Sequence, residues 1–399
     1  MKVLLLNCGS SSIKYKLYDM SDHSVMAAGG IEKIGSAGSF IKTKLPKADK
    51  TLCDIPDHNT GVQLVLQTLT SPVNGCIHSL DEIDAVGDRI VHGGPFSEST
   101  LLTPEIFAEW KKCALGLAPV HSEVQAKSIE AISKCLPNVP QVGIFDTAFH
   151  QTIPEHAYLT SLPYEFYEKY GIRRYGFHGT SFRYVLQRSA QVLGFNANEK
   201  RIIICHIGNG ISVSAIKEGV CIDTTMGMMP NDGPMMGTRT GDMDASALLF
   251  LMEKENLTPA ATLDLISKNS GLLGISGLTN DMREIVEAAQ SGHSRAQLAL
   301  DMYCYRLKRY IGAYAAILGG VDYIIFTAGV GENQPPVRKG CLEGLEFMGV
   351  QLDIETNEKV YGQETVISTP DSKVTVAVIP TDEELMMAQD TMQVVTKQK

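Results

Sequence analysis

A chain of 399 residues with 44% hydrophobic and 20% charged side chains has the balance of a folded globular protein and length for two or three domains, which excludes disordered and fibrous classes. The formal net charge of −10 argues against a nucleic-acid partner, so any anionic ligand must be held by local lysines and arginines. Nine cysteines stand singly with no CxxC pair, as expected of reduced thiols in the cytoplasm.

The chain opens on an apolar run, Val3 to Leu6, too short for an export signal. Residues 2–7 and 12–19 read as a hairpin whose turn holds Gly9, Ser10, Ser11 and Ser12 and whose return strand carries Lys14. Backbone N–H groups, hydroxyls and one lysine at a single turn suit a phosphate; a hairpin with a polar tip is the plainer alternative. A helix near 60–70 follows, then a strand at 84–91 that delivers Arg89 just before Gly93 and Gly94. Such an arginine suits bidentate anion recognition, or a structural salt bridge. After helices near 104–115 and 122–134, the strand 141–145 ends at Asp146. That carboxylate could orient a nucleophile or a metal, or cap whatever follows.

The second half opens with Tyr-rich sequence at 154–177 and then His178, able to donate to an anion or to sit buried against backbone. A helix at 180–193 precedes a hairpin at 201–223, whose turn, Gly208, Asn209 and Gly210, occupies the place of Gly9 in the first half. Arg239 lies between glycine-rich flanks, with helices near 243–255 and 258–267 beyond. The spacing of Leu300, Cys304, Leu307, Ile311, Tyr314 and Leu318 predicts a helix over 295–318 with one buried stripe, closed by Gly319 and Gly320. The strand 323–326 should enter a third glycine loop containing Gly329 and Gly331, and the strand 374–379 a last helix capped by Thr381 or Asp382. Strands interleaved with helices imply an α/β fold, here with half-chain duplication. No P-loop lysine, GxGxxG, GxSxG or zinc-ligand spacing occurs, and residues 310–331 are broken by Asp322, so no membrane span is expected.

The ordered motifs NCGSSSIKY (7–15), RIVHGG (89–94), FDTAFHQTIP (145–154), YGFHGTS (175–181), HIGNG (206–210), MGTR (236–239), SGLTNDMR (276–283) and FTAGVGEN (326–333), with the acidic pair 383–384, resemble those of the acetate kinase family, of the superfamily shared by actin and the sugar kinases. The resemblance implies a duplicated ribonuclease H-like fold in two domains with the active site in the cleft between them. Residues 1–149, joined by a C-terminal helix at 384–399, form the first; residues 150–383 form the second, which binds nucleotide and pairs in a homodimer. It implies reversible in-line transfer of the ATP γ-phosphoryl to acetate, with magnesium, or manganese in its place, as cofactor. By position, Asn7 and Glu383 serve the metal, and Ser10, Ser12 and Lys14 the phosphates. Arg89 and Arg239 flank the moving phosphoryl, with Asp146 and His178 completing the catalytic set.

His206, Asn209 and Gly210 correspond to the second phosphate loop, and Asp281, Met282, Arg283, Gly329, Gly331 and Asn333 to the adenosine side. Val91, Val120, Phe177 and Pro230 would pocket the acyl methyl, with Arg89 also on the substrate. Asp88 stands where the family often has histidine, Met282 where an aromatic is common, and Val120 where leucine is common. The alternatives are a propionate or butyrate kinase of the same family, and an actin-like ATPase without an acyl acceptor.

Overall fold

Val3, Leu4, Leu5 and Leu6 are all buried, so the first strand reads as an unbroken apolar run because both of its faces are covered. In this computed structural model, which describes residues 1–73, 75–117 and 119–397 without the side chains of 119–121, the chain forms two units. The first comprises Met1–Gln151 and the C-terminal stretch from Asp382. Its strands are β1 (Lys2–Gly9), β2 (Ser12–Asp19), β3 (Ser24–Glu32), β4 (Phe40–Leu45), β5 (Asp49–Leu52), β6 (Ala85–Ile90), β7 (Thr100–Leu101) and β8 (Gln141–Phe145). Among the described residues they order as β5-β4-β3-β2-β1-β6-β8-β7, with β1, β6 and β8 parallel.

One face of this sheet, with Leu4, Leu6 and Cys8, packs on Val62, Val65 and Leu66 of the helix His58–Leu69 and on Ile132 of the helix Pro119–Cys135. The other, with Val3, Leu5 and Ile144, is covered by Met387, Ala388 and Val395 of the helix Glu383–Thr396. Gly87 lets that helix close in, since a Cβ there would stand 2.7 Å from Leu5 Cδ2 and collide with Thr391. Asp382 caps the helix by accepting from the Leu385 N–H at 2.9 Å. Along this face Val3 and Leu5 are followed by Asn7, which pairs in register with Lys14.

Asp88 alternates with Arg89 and points the opposite way, into the interior, where it is 4% exposed. With its oxygen turned to accept from Ser133, the amide of Gln141 donates to it at 3.1 Å, yet burial pushes its carboxyl up to about 7. A carboxyl whose folded pKa exceeds its unfolded value withdraws stability as pH rises from about 4 to about 7, and the loss levels off above. Asp88→Asn should therefore be more stable than the parent at pH 7.5 by roughly 2–4 kcal/mol and equal to it near pH 4. Urea denaturation at the two pH values checks this.

The second unit, Thr152–Thr381, holds β9 (Arg201–Ile207), β10 (Ile211–Lys217), β11 (Val220–Thr224), β12 (Tyr323–Thr327), β13 (Thr365–Val366) and β14 (Thr375–Val378). Their order, β11-β10-β9-β12-β14-β13, repeats the β3-β2-β1-β6-β8 plan of the first: an antiparallel meander whose first strand pairs in parallel with a later strand, which pairs in parallel with another in its turn. The long helix runs Ser294–Leu318, with Cys304, Leu307, Ile311, Tyr314 and Leu318 buried and Gly319 capping it at φ 71°.

Two expectations need correction. Residues 201–223 hold a three-stranded meander rather than a lone hairpin, and the third glycine segment is no loop, for Ala328–Asn333 is helical. Glycine carries a helical penalty of only about 1 kcal/mol, small enough for the segment to be helical; a Cβ at Gly331 would make only ordinary contacts, 3.6 Å from the Cys205 carbonyl oxygen and from Ile207 Cβ. Among the described residues no helix is long and apolar enough to cross a membrane, and the nine cysteines form no disulfide.

Candidate functional site

In the first unit, Asn7, Lys14, Arg89 and Glu383 line one open cavity of about 360 Å³, with Lys16, Lys42 and Lys44 along its rim. The Arg89 guanidinium donates from Nε to Asp146 at 3.1 Å and from Nη2 to the same carboxylate at 2.8 Å. Nη2 also lies 3.3 Å from Glu383. Asp146 therefore holds the arginine, and the cation is stabilised chiefly by that carboxylate and then by Glu383. Because Glu383 shares its cation, burial outweighs the attraction to Arg89 and its carboxyl stands above the usual range. The amide oxygen of Asn7 and the carboxylate of Glu383 are hard oxygen donors on one cavity, a set that fits a magnesium ion keeping water and phosphate oxygens as its other ligands. No cluster of three or more His, Cys, Asp or Glu suited to a metal occurs among the described residues.

Ser12 pairs with Gly9 at the hairpin end, while Ser10 lines a separate hollow with Asp57 and His58. Val91 is half-buried just past β6. The Val120 side chain lies outside the described residues.

In the second unit the groups converge on the turn after β9. A Cβ at Gly210 would lie 3.1 Å from Arg239 Nη1 and 3.4 Å from His178 Cε1. The rings of His178 and His206 stack 4.1 Å apart at 14°. His178 stands at φ 59°, a left-handed conformation that side chains resist, at the start of the helix Gly179–Leu193. Arg239 donates to the Pro230 carbonyl at 2.8 Å and has no carboxylate partner among the described residues. Burial lowers its pKa, as it does for a cation kept from water without a counter-ion. Phe177 is buried and Pro230 half-buried. Gly210→Ala, free of backbone strain, is expected to crowd Arg239 and weaken the binding of any anion at this turn by about tenfold to a hundredfold with thermal stability unchanged; an anion titration and a melting curve check it.

A second cavity, of about 310 Å³, is lined by Gly208, Asn209, Asp281, Met282, Arg283, Gly329 and Asn333. Asp281 caps the helix Met282–Gln290 and pairs with the exposed Arg283. Met282 is 3% exposed, so it serves the core as much as the cavity wall. Gly331 lies beneath, outside the lining.

The sequence reading overlooked the hydroxyls behind the two histidines: Ser212 meets His178 Nδ1 at 2.9 Å, and Ser181 meets His206 Nδ1 at 2.8 Å. It also missed Arg338, which is fully buried and donates to the carbonyls of Gly331, Glu332, Asn357 and Val360. In sequence Arg338 beside Lys339 looks like a solvated pair; only the serine in GTS, three residues after His178, carried a signal.

Two α/β units of one strand plan, each with anion-suited side chains at a strand end, are the architecture of the actin-like ATPase superfamily. The chain belongs to the acetokinase family, whose family model matches residues 2–389. It is 59% identical to the acetate kinase of Phocaeicola vulgatus over 400 aligned positions, covering 100% of both chains. The crystal structure of Porphyromonas gingivalis acetate kinase superposes with a TM-score of 0.95 at 52% identity, covering 99% of each chain. A propionate kinase from Francisella tularensis gives 0.91 at 35% identity, over 98% of this chain and 99% of the other.

Proposed function

We propose that this protein is an acetate kinase, transferring the γ-phosphoryl of ATP directly and reversibly to acetate to give acetyl phosphate and ADP. The observation that carries the reading is Arg239, a half-buried guanidinium with no carboxylate among the described residues, set against Gly210 and His178. A loose phosphoryl transition state spreads charge over its equatorial oxygens and is stabilised by fixed cations and donors rather than by a covalent catalyst. Arg89, held by Asp146, and Arg239, held by a backbone carbonyl, are such cations, and His178 supplies a donor. Lys14 would neutralise phosphate charge, and the turn at Gly208–Gly210 would cradle the nucleotide phosphates. Asn7 and Glu383 would hold magnesium, which when bound would screen the charge of the nucleotide's phosphates. The adenosine would occupy the cavity walled by Asp281, Arg283 and Gly329.

Trapping with hydroxylamine tests the reaction, since only an acyl phosphate yields a hydroxamate; ATP hydrolysis without hydroxamate would defeat the proposal. A second reading, propionate kinase, is favoured by the Francisella tularensis likeness. One methylene in an apolar pocket discriminates by only about 1–3 kcal/mol. Comparing kcat/KM for acetate, propionate and butyrate separates them, a higher value for propionate overturning the choice.

The reading includes a cytoplasmic homodimer. The helix Ala245–Lys254 is apolar, yet none of its residues is buried, leaving Leu249 65% and Phe250 61% exposed. Such a face is costly in water unless another surface meets it. Leu249→Glu/Phe250→Glu is expected to sediment at half the parent's mass; an unchanged mass would remove this helix from the interface.

A further inference from the structure

The two stacked imidazoles of the second unit share one design, each with Nδ1 against a serine hydroxyl, but the serines differ. Ser181, fully buried, also meets Thr381 Oγ1 at 2.8 Å. Thr381 is itself held, its N–H donating to Glu332 Oε1 at 3.1 Å. Glu332 further accepts from Thr327 Oγ1 at 3.4 Å, at the end of β12.

Three polar atoms in a row, Thr381 Oγ1, Ser181 Oγ and His206 Nδ1, allow two directions of donation. If His206 Nδ1–H donates toward Ser181, the chain ends in the hydroxyl hydrogen of the half-buried Thr381, which then has no acceptor among the described residues and only water to donate to. If Thr381 donates to Ser181 and Ser181 to Nδ1, each hydroxyl hydrogen is used within the chain. The second direction leaves the ring proton on Nε2, and Nε2 is the atom nearest the glycine turn: a Cβ at Gly208 would lie 3.7 Å from it. Stacking at 4.1 Å on His178 disfavours a charge on both rings, so the placement of a single proton decides whether His206 offers an anion a donor or a lone pair.

We infer that Thr381 and Ser181 are positioning residues that fix His206 as its Nε2–H tautomer, presenting a neutral donor to the anionic phosphate held at the Gly208–Gly210 turn. The inference rests on the reading of that turn as a phosphate loop and assigns its histidine a set protonation site.

Long-range 1H–15N correlation on the full-length protein labelled at histidine reads the tautomer directly, with His206→Gln assigning the signal. The parent is expected to show Nε2–H. In Thr381→Val and Ser181→Ala the Nδ1–H form should become substantial and the KM for ATP rise at least fivefold, and Thr381→Ser should restore both. Nδ1–H in the parent, or an unaltered tautomer in both variants, overturns the inference, as does a shifted tautomer with KM unmoved. Hydroxamate formation by the parent reports the phosphotransfer reading separately, since the tautomer is measured without turnover.

Discussion

Arg89→Ala is expected to cost both activity and stability. Its guanidinium is the shared partner of Asp146, 3% exposed at the side chain, and of Glu383. Removing one member of a buried ion pair strands the other, a loss of about 3 kcal/mol or more. Removing a cation that stabilises a transferring phosphoryl lowers kcat by about 10³-fold or more. Arg89→Ala/Asp146→Asn should recover part of the stability and none of the activity, because the stranded charge is gone while the phosphoryl still lacks its cation. Arg89→Lys should also be poor, since one ammonium cannot reproduce the fork that meets Asp146 through Nε and Nη2. Urea denaturation beside steady-state kinetics reads both effects. An Arg89→Ala enzyme as stable as the parent and within tenfold of its turnover would refute the assignment.

Arg239→Ala should behave oppositely, losing about 10³-fold in kcat while unfolding within about 1 kcal/mol of the parent. No carboxylate among the described residues loses its partner, and the folded state is relieved of a desolvated cation. The loss to the fold is the hydrogen bond to the Pro230 carbonyl and a weak one to Met236 Sδ. Two arginines with equal kinetic consequences and unequal thermodynamic ones would separate a cation held by acids from one held only by backbone. A destabilisation of Arg239→Ala matching that of Arg89→Ala would show that Arg239 is structural.

The legible parts of the chain were those whose burial obeys a single period. The Ser294–Leu318 stripe follows helical spacing because one face meets the core, and the β1–β2 hairpin declared itself through apolar runs flanking a glycine turn. By contrast β3, β4 and β5 escaped notice. Gly29 and Gly30 interrupt the first, every residue of Asp49–Leu52 is exposed, and an edge without a buried face leaves no pattern to read. The helix Met282–Gln290 has a strongly one-sided burial, with Met282, Ile285, Val286 and Ala289 inside, but its opening residues were absorbed into a ligand motif.

The site residues were found largely through resemblance, because their side chains are ordinary polar types whose meaning lies in convergence. Nothing in the spacing of His178, Gly210 and Arg239 shows that they touch. What sequence could not supply was the layer behind them, Ser212, Thr381 and Arg338, or the partners of Ser181, whose hydrogen bond to Thr381 spans 200 positions.

The helix Glu383–Thr396 covers strands that end at Phe145, and this sets an order of events at the ribosome. About 250 residues separate the last of those strands from the end of their cover, roughly 12 to 50 s at ordinary elongation rates. Throughout that interval Val3, Leu5 and Ile144 present a bare apolar surface, and the second unit has time to mature before the first. Nascent chains stalled before residue 383 should consequently engage holdase chaperones through the amino-terminal sheet, and Arg89, already held by Asp146, gains its second carboxylate only when this helix is made.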